Sequence, residues 1–128
     1  IKSAASLEDA ARIDTVVFDK TGTLTVGRPE VVEIVAAPGV GRDDLLAWAG
    51  AVEKDSEHPL AQAILKRAAG IPLSAAAAFR AVPGLGARAE VDGVTVLAGN
   101  RMLMGVEKVA VAALDGEAAR LEGNGRTV

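Results

Sequence analysis

An α/β (α+β) fold is predicted, with an antiparallel sheet flanked by helices over residues 26–128 and a separate strand-and-loop segment over residues 1–25. Three observations carry that expectation. A short apolar, β-branched run, Ile13 to Phe18, ends directly on Asp19, the pattern of a buried strand closing at a carboxylate. Two stretches with apolar residues at helical spacing follow, one before and one after Pro59. Then come three strand-like runs, Ala77 to Val82, Ala87 to Val91 and Val94 to Ala98. Pro83-Gly84-Leu85-Gly86 and Asp92-Gly93 separate them, and the second pair is a strong signal for a tight hairpin.

The remaining elements follow in chain order. Ser6 caps a short helix, with Asp9 reaching back to it, that runs to about Arg12. After the Asp19 strand, Thr21-Gly22-Thr23 is loop, and Gly27-Arg28-Pro29 is a second breaker placed as a hinge. Glu30 to Ala36 reads as a strand ended by Pro38-Gly39. Asp43 or Asp44 caps a helix that puts Leu45, Leu46, Trp48, Ala49 and Val52 on one broad apolar side. That helix fails by Ser56, because His58 precedes Pro59 and is pushed out of the α region. Pro59 opens a second helix, with Leu60, Ala63, Ile64 and Ala68 at core spacing and Gly70 at its end. Glu107 to Glu122 is predicted helical, with Gly116 as a weak point. Asn124-Gly125 then turns the chain into a final strand at Thr127-Val128.

Composition excludes several classes of function. The chain has 128 residues, enough for one compact core. Half of them are hydrophobic but only 2% aromatic, so Ala, Val and Leu must do the packing. A net charge of -3 with scattered signs argues against a nucleic-acid partner. Absence of cysteine removes disulfides and thiolate metal sites, and a single histidine removes any site built on several imidazoles. No run reaches the roughly 18 apolar residues that cross a bilayer, since Glu33 interrupts Val31 to Val35 and Pro38 ends it. Neither end has the look of a natural terminus, so a piece of a longer chain is expected.

The most informative stretch is Asp19-Lys20-Thr21-Gly22-Thr23-Leu24-Thr25. An aspartate at the carboxyl end of a buried strand sits where α/β sheets hold ligands. Its loop adds glycine freedom, backbone N–H groups and hydroxyls, a good setting for a phosphoryl group. Such a carboxylate can attack phosphorus and form an acyl phosphate. A polar loop that merely caps a strand is the plain alternative. The whole string, however, resembles the phosphorylation motif of the P-type ATPases. The wider haloacid-dehalogenase-like phosphatases are similar in this loop, but they carry a second aspartate two residues after the nucleophile as general acid and base. Thr21 stands there in this chain, so water attack on the acyl phosphate is expected to be slow.

A second group of residues extends the resemblance. Ser56-Glu57-His58-Pro59-Leu60 is similar to a signature of the heavy-metal-transporting (P1B) subgroup. Glu53 lies five residues before His58, on a different face of any unbroken helix, but the break before Pro59 lets the two converge. A carboxylate can accept from an adenine amino group, and an imidazole can stack on the ring or bond to it. On position alone His58 is an ordinary helix-start histidine; beside Glu53 and the aspartate loop the ligand role is preferred. Gly84-Leu85-Gly86 alone means only tight backbone geometry, and Gly99-Asn100 alone only a strand-end turn. Within the subgroup, matching pairs lie near ATP.

The resemblance, which covers nearly the whole chain, implies the following. ATP lies against Glu53, His58, Gly84, Gly86, Gly99 and Asn100, and Asp19 is the catalytic nucleophile. Magnesium is held by Asp19 and the Thr21 carbonyl. Residues 1–25 begin a phosphorylation domain, and residues 26–128 form a nucleotide-binding domain. The expected partners are the rest of the same pump and a transported heavy-metal ion, copper by preference, which places this region as a cytoplasmic domain of an integral membrane protein. The chain alone is expected to be inactive. Two rivals remain: a freestanding dehalogenase-type phosphatase, which Thr21 opposes, and a nucleotide-binding regulatory module, which the aspartate loop opposes.

Overall fold

The structure is a computed structural model that describes residues 29–128. The expected helix at Ser6, the strand Ile13 to Phe18, Asp19 and its loop all lie outside the described residues. The elements in order are α1 (Arg42–Glu53), α2 (Pro59–Arg67), β1 (Ala76–Val82), β2 (Gly86–Val91), β3 (Val94–Gly99), α3 (Arg101–Val106), a 3-10 turn (Ala112–Leu114) and α4 (Asp115–Gly123). The three strands form one antiparallel sheet in the order β1-β2-β3. Among the described residues no helix is long and apolar enough to cross a membrane.

Alternation along β2 decides which face of the sheet is covered. Ala87, Ala89 and Val91 are buried while Glu90 between them is exposed. Ala51 and Val52 of α1 pack on those three residues, and Ala76, Phe79, Val96 and Ala98 complete the cluster. Small side chains let the helix approach closely. The same device seats α2, whose buried Ala61 and Ala63 face inward beside α1. At Gly50 of α1 an added Cβ would press on the Leu73 side chain at 3.0 Å and on the Ala68 Cβ at 3.3 Å.

Each turn has a local cause. Asp92 and Gly93 close the β2–β3 hairpin with φ of 52° and 78°, the positive pair that a two-residue primed turn requires. Pro83 and Gly84 make the β1–β2 turn, in which the Leu85 N–H donates to the Val82 carbonyl at 3.0 Å. Gly84 has a φ of 72°, as the third position of a type II turn demands. In β1, Ala77 pairs with Glu90 and Arg80 with Arg88, so Ala78 and Phe79 together oppose Ala89. That is a β-bulge, with Ala78 in the left-handed region at 52°.

Five expectations need correction. Neither Asp43 nor Asp44 caps α1: the N-cap is Gly41, without a side-chain hydrogen bond, and both aspartates lie in the first turn. Glu30 to Ala36 is not a strand: it pairs with no described strand, and apolar β-branched sequence cannot make a ladder without a neighbour. Ion pairs hold the segment instead, Lys66 to Glu30 at 2.6 Å and Arg120 to Glu33. The Lys66 hydrogen bond, then its charge, keeps the Glu30 carboxyl below its ordinary range. Thr127-Val128 also makes no strand. The single helix Glu107 to Glu122 is not formed: α3 ends at Val106, before it, and helical structure resumes only with the 3-10 turn and α4. Lys108, at a φ of 58°, ends α3; its N–H donates to Gly105 at 3.2 Å, and the Val109 N–H to Met104 at 2.8 Å. That pair of bonds is a Schellman stop with lysine where glycine is usual. Finally, Trp48 and Leu60 were expected in the core, yet they are 47% and 42% exposed. Leu46 and residues 50–53 take the inward side of α1.

The second helical pair is attached differently from the first. No residue of α4 is buried. Arg101, at the start of α3, donates to Asp115 at 2.7 Å and to Glu122 at 3.2 Å, and Arg120 donates to Glu117 at 2.9 Å. Its two carboxylate partners raise the affinity of the Arg120 guanidinium for its proton.

Candidate functional site

Two groups of residues make up the candidate site. The first is the junction of α1 and α2. Glu53 is the last residue of α1 and is buried. Among the described residues no enclosed side-chain oxygen or nitrogen lacks a partner, and the hydrogen bonds among them do not use the Glu53 carboxylate. The residue as a whole is 9% exposed. The chain then turns: the Ser56 N–H donates to the Glu53 carbonyl at 3.0 Å, and the His58 N–H to Ser56 Oγ at 3.3 Å. His58 is extended, with φ -67° and ψ 139°, as a residue before proline must be. It is the N-cap of α2.

The cap bond fixes the chemistry of the imidazole. His58 Nδ1 accepts the Leu60 N–H at 3.2 Å. In the neutral ring the proton then resides on Nε2, which points a donor away from the helix end. The chain break expected before Pro59 is present, and it delivers Glu53 and His58 at the end of one helix and the start of the next. Pro59 sits at the first helical position, where its missing N–H costs nothing.

The second group gathers at one end of the sheet. Gly86 opens β2, Gly99 closes β3, and the two are directly paired. An added Cβ on Gly86 would run into the Ala98 carbonyl and come within 2.5 Å of the Gly99 Cα. One on Gly99 would meet the Leu85 carbonyl and the Leu103 side chain. Both glycines thus have a reason in the packing itself. Gly84 differs, since a Cβ there would find nothing within 4 Å. Asn100 ties the group together. Its backbone N–H donates to the Leu85 carbonyl at 2.9 Å, and its Nδ2 to the Gly84 carbonyl at 3.0 Å. Its Oδ1 accepts the Leu103 N–H at 3.1 Å, capping α3.

The structure therefore brings Gly84, Gly86, Gly99 and Asn100 together, and presents Glu53 and His58 from the helical layer packed on the same sheet. Asp19 and Thr21 lie outside the described residues. Among the described residues no three His, Cys, Asp or Glu side chains gather as a metal site. A cleft of about 310 Å³ lies elsewhere, on the outward side of the sheet beside the bulge, over Arg80, Arg88, Glu90 and Thr95. None of the six nucleotide candidates lines it, so we do not assign it to the site. Sequence reasoning missed Leu103, which is 1% exposed and anchors α3 under the glycine pair. The asparagine followed three residues later by leucine was the signal that could have found that helix.

Comparison with known proteins places this arrangement. The sequence matches the haloacid dehalogenase-like hydrolase family over residues 13–128. It is 42% identical over 134 residues to the probable copper-transporting ATPase PacS of Synechococcus elongatus, covering 100% of this chain and 18% of that protein. Its fold matches that of a zinc-transporting PIB-type ATPase in the E2.Pi state with a TM-score of 0.68 and 42% identity, over 95% of this chain and 20% of the other. The chain belongs to the haloacid dehalogenase-like hydrolases, and within them to the heavy-metal P-type ATPases. Among solved heavy-metal P-type ATPases, the catalytic domain of the CPx-ATPase CopB-B, described for its conformational changes upon nucleotide binding, is 35% identical with a TM-score of 0.62. That match covers 79% of this chain and 41% of the other. The chain spans less than a fifth of the length of PacS. Copper and zinc pumps match it at the same identity of 42%, so identity does not separate the two.

Proposed function

We propose that this chain is the ATP-binding cytoplasmic portion of a heavy-metal pump, with copper the preferred cargo. Residues 26–128 bind the nucleotide, and residues 1–25 begin the phosphorylation domain that carries Asp19. The observation that supports the reading is the Asn100-braced glycine turn at the sheet end, in the same packed unit as Glu53 and the His58 ring, whose Nδ1 accepts the Leu60 N–H. Glu53 accepts from the exocyclic amine of adenine, while His58 stacks on the ring or donates to it. Gly84, Gly86, Gly99 and Asn100 line the backbone approach for the rest of the nucleotide.

In the intact pump an Asp19 carboxylate oxygen attacks the γ-phosphorus. The new O–P bond forms as the bond to the β-phosphate oxygen breaks, and ADP leaves. Thr21, in place of an acid, leaves water without a proton acceptor, which lengthens the life of the acyl phosphate. Magnesium, when bound by Asp19 and the Thr21 carbonyl, neutralises phosphate charge.

Isothermal titration of the chain with ATP tests the binding half. A dissociation constant of about 0.1–1 mM, little changed by magnesium, is expected. Absence of binding at millimolar ATP by a folded chain would end the proposal.

A further inference from the structure

The outward face of the sheet carries charges that the packing does not explain. Arg80 of β1 stands directly opposite Arg88 of β2, and Glu90 of β2 opposite Thr95 of β3. Arg88 and Glu90 point away from the core, because Ala87, Ala89 and Val91, alternating with them, take the buried side. Like charges facing each other across a ladder are destabilising, and an anion held between them removes that penalty. Among the described residues the protein supplies little of one. Arg80 makes no ion pair, Arg88 has only a long contact to Glu107 at 3.8 Å, and Glu90 pairs with neither arginine. All four side chains nonetheless line one cleft of about 310 Å³. The bulge makes the room: Ala78 and Phe79 together oppose Ala89, Phe79 packs on the core, and the only residue that the bulged pair gives to the cleft is the small Ala78.

We propose that this cleft is a binding site for inorganic phosphate. The facing guanidinium groups of Arg80 and Arg88 donate to its oxygens, the planar donor sets that suit a tetrahedral oxyanion. The Thr95 hydroxyl adds a third donor. Glu90 decides which oxyanion is held, because its carboxylate can only accept. Near pH 8 inorganic phosphate still carries one proton, which Glu90 can take as a hydrogen bond. Sulfate carries none, and neither does a phosphate monoester, whose second pKa is about 6. Those ions would set an unprotonated oxygen against the Glu90 carboxylate, and the repulsion offsets part of what the arginines contribute. The site shares no residue with the nucleotide group, so it stands or falls independently of that reading.

The test is a titration of the whole chain with sodium phosphate near pH 8, at constant ionic strength, followed in amide NMR spectra. Signals of Arg80, Arg88, Glu90 and Thr95 should shift together and saturate, with a dissociation constant of about 1–10 mM. Sodium sulfate and phenyl phosphate should bind about tenfold more weakly. Arg80 is exposed and makes no ion pair among the described residues, so Arg80→Gln should leave the fold intact and weaken phosphate about tenfold or more. Glu90→Gln should erase the preference, bringing sulfate and phenyl phosphate up to the affinity of phosphate. No saturable shift at these residues by about 50 mM phosphate would overturn the proposal. So would sulfate and phenyl phosphate binding the parent chain as tightly as phosphate, which leaves only non-specific attraction to two arginines. Unchanged phosphate affinity in a folded Arg80→Gln chain would overturn it as well.

Discussion

Gly84 and Gly86 are two residues apart and were expected to serve the nucleotide in the same way, yet the structure predicts different costs for filling them. Gly86 has a φ of 146°, and an added Cβ would come within 2.5 Å of the Gly99 Cα and 3.0 Å of the Ala98 carbonyl carbon. Those are backbone atoms of the paired strand, so relief requires β2 and β3 to separate at Gly86–Gly99. Backbone strain of this kind costs on the order of 1–3 kcal/mol, and loosening the end of the ladder adds about another hydrogen bond. Gly86→Ala should therefore lose about 3 kcal/mol, a fall in Tm of roughly 10–20 °C for a domain of this size. Gly84→Ala meets no atom and bears only the left-handed conformation, about 1 kcal/mol or roughly 5 °C. Thermal unfolding followed by circular dichroism reads both. If Gly86→Ala melted within about 3 °C of the parent, or Gly84→Ala were the worse of the two, the steric argument would be wrong.

His58 has two jobs that substitutions can separate. His58→Asn keeps an oxygen able to cap α2 and removes the imidazole, so Tm should hold while ATP affinity falls about tenfold; His58→Gln should lose about 1 kcal/mol of stability as well. Unchanged affinity in His58→Asn by calorimetry would leave the histidine a cap only. Glu30 supplies a pH test. Because Lys66 lowers its pKa from the ordinary 4.5, the pair's contribution is complete above that value and is lost as pH falls through the lowered one. A carbon-detected titration should return Glu30 to the ordinary range in Lys66→Met; the same low midpoint in that variant would mean that Lys66 is not the cause.

How much of this was legible in the sequence depended on whether the signal was local. The Asp92-Gly93 hairpin and the Pro59 start of α2 were read correctly, because each is decided by the φ preferences of two or three residues. The three strands were placed to within one residue for the same reason. The failures concern choices made by neighbours. Asn100 ends a strand and caps a helix at once, and only the Leu103 packing reveals the second role. Lys108 in a left-handed conformation stops α3 without a glycine to announce it. Glu30 to Ala36 has strand composition, but pairing is a property of the partner. Within the candidate site, composition and order proposed the residues, whereas the hydrogen bonds that tie Asn100 to Gly84 and Leu103 are encoded in no motif.

The most direct test of the account is an ATP titration of the chain followed residue by residue in amide NMR spectra. The account predicts that shifts concentrate at Glu53, His58, Gly84 to Gly86 and Gly99, at the helix junction and the braced end of the sheet. Shifts concentrated instead at Arg80, Arg88, Glu90 and Thr95 would place the nucleotide in the outward cleft beside the β1 bulge and contradict it.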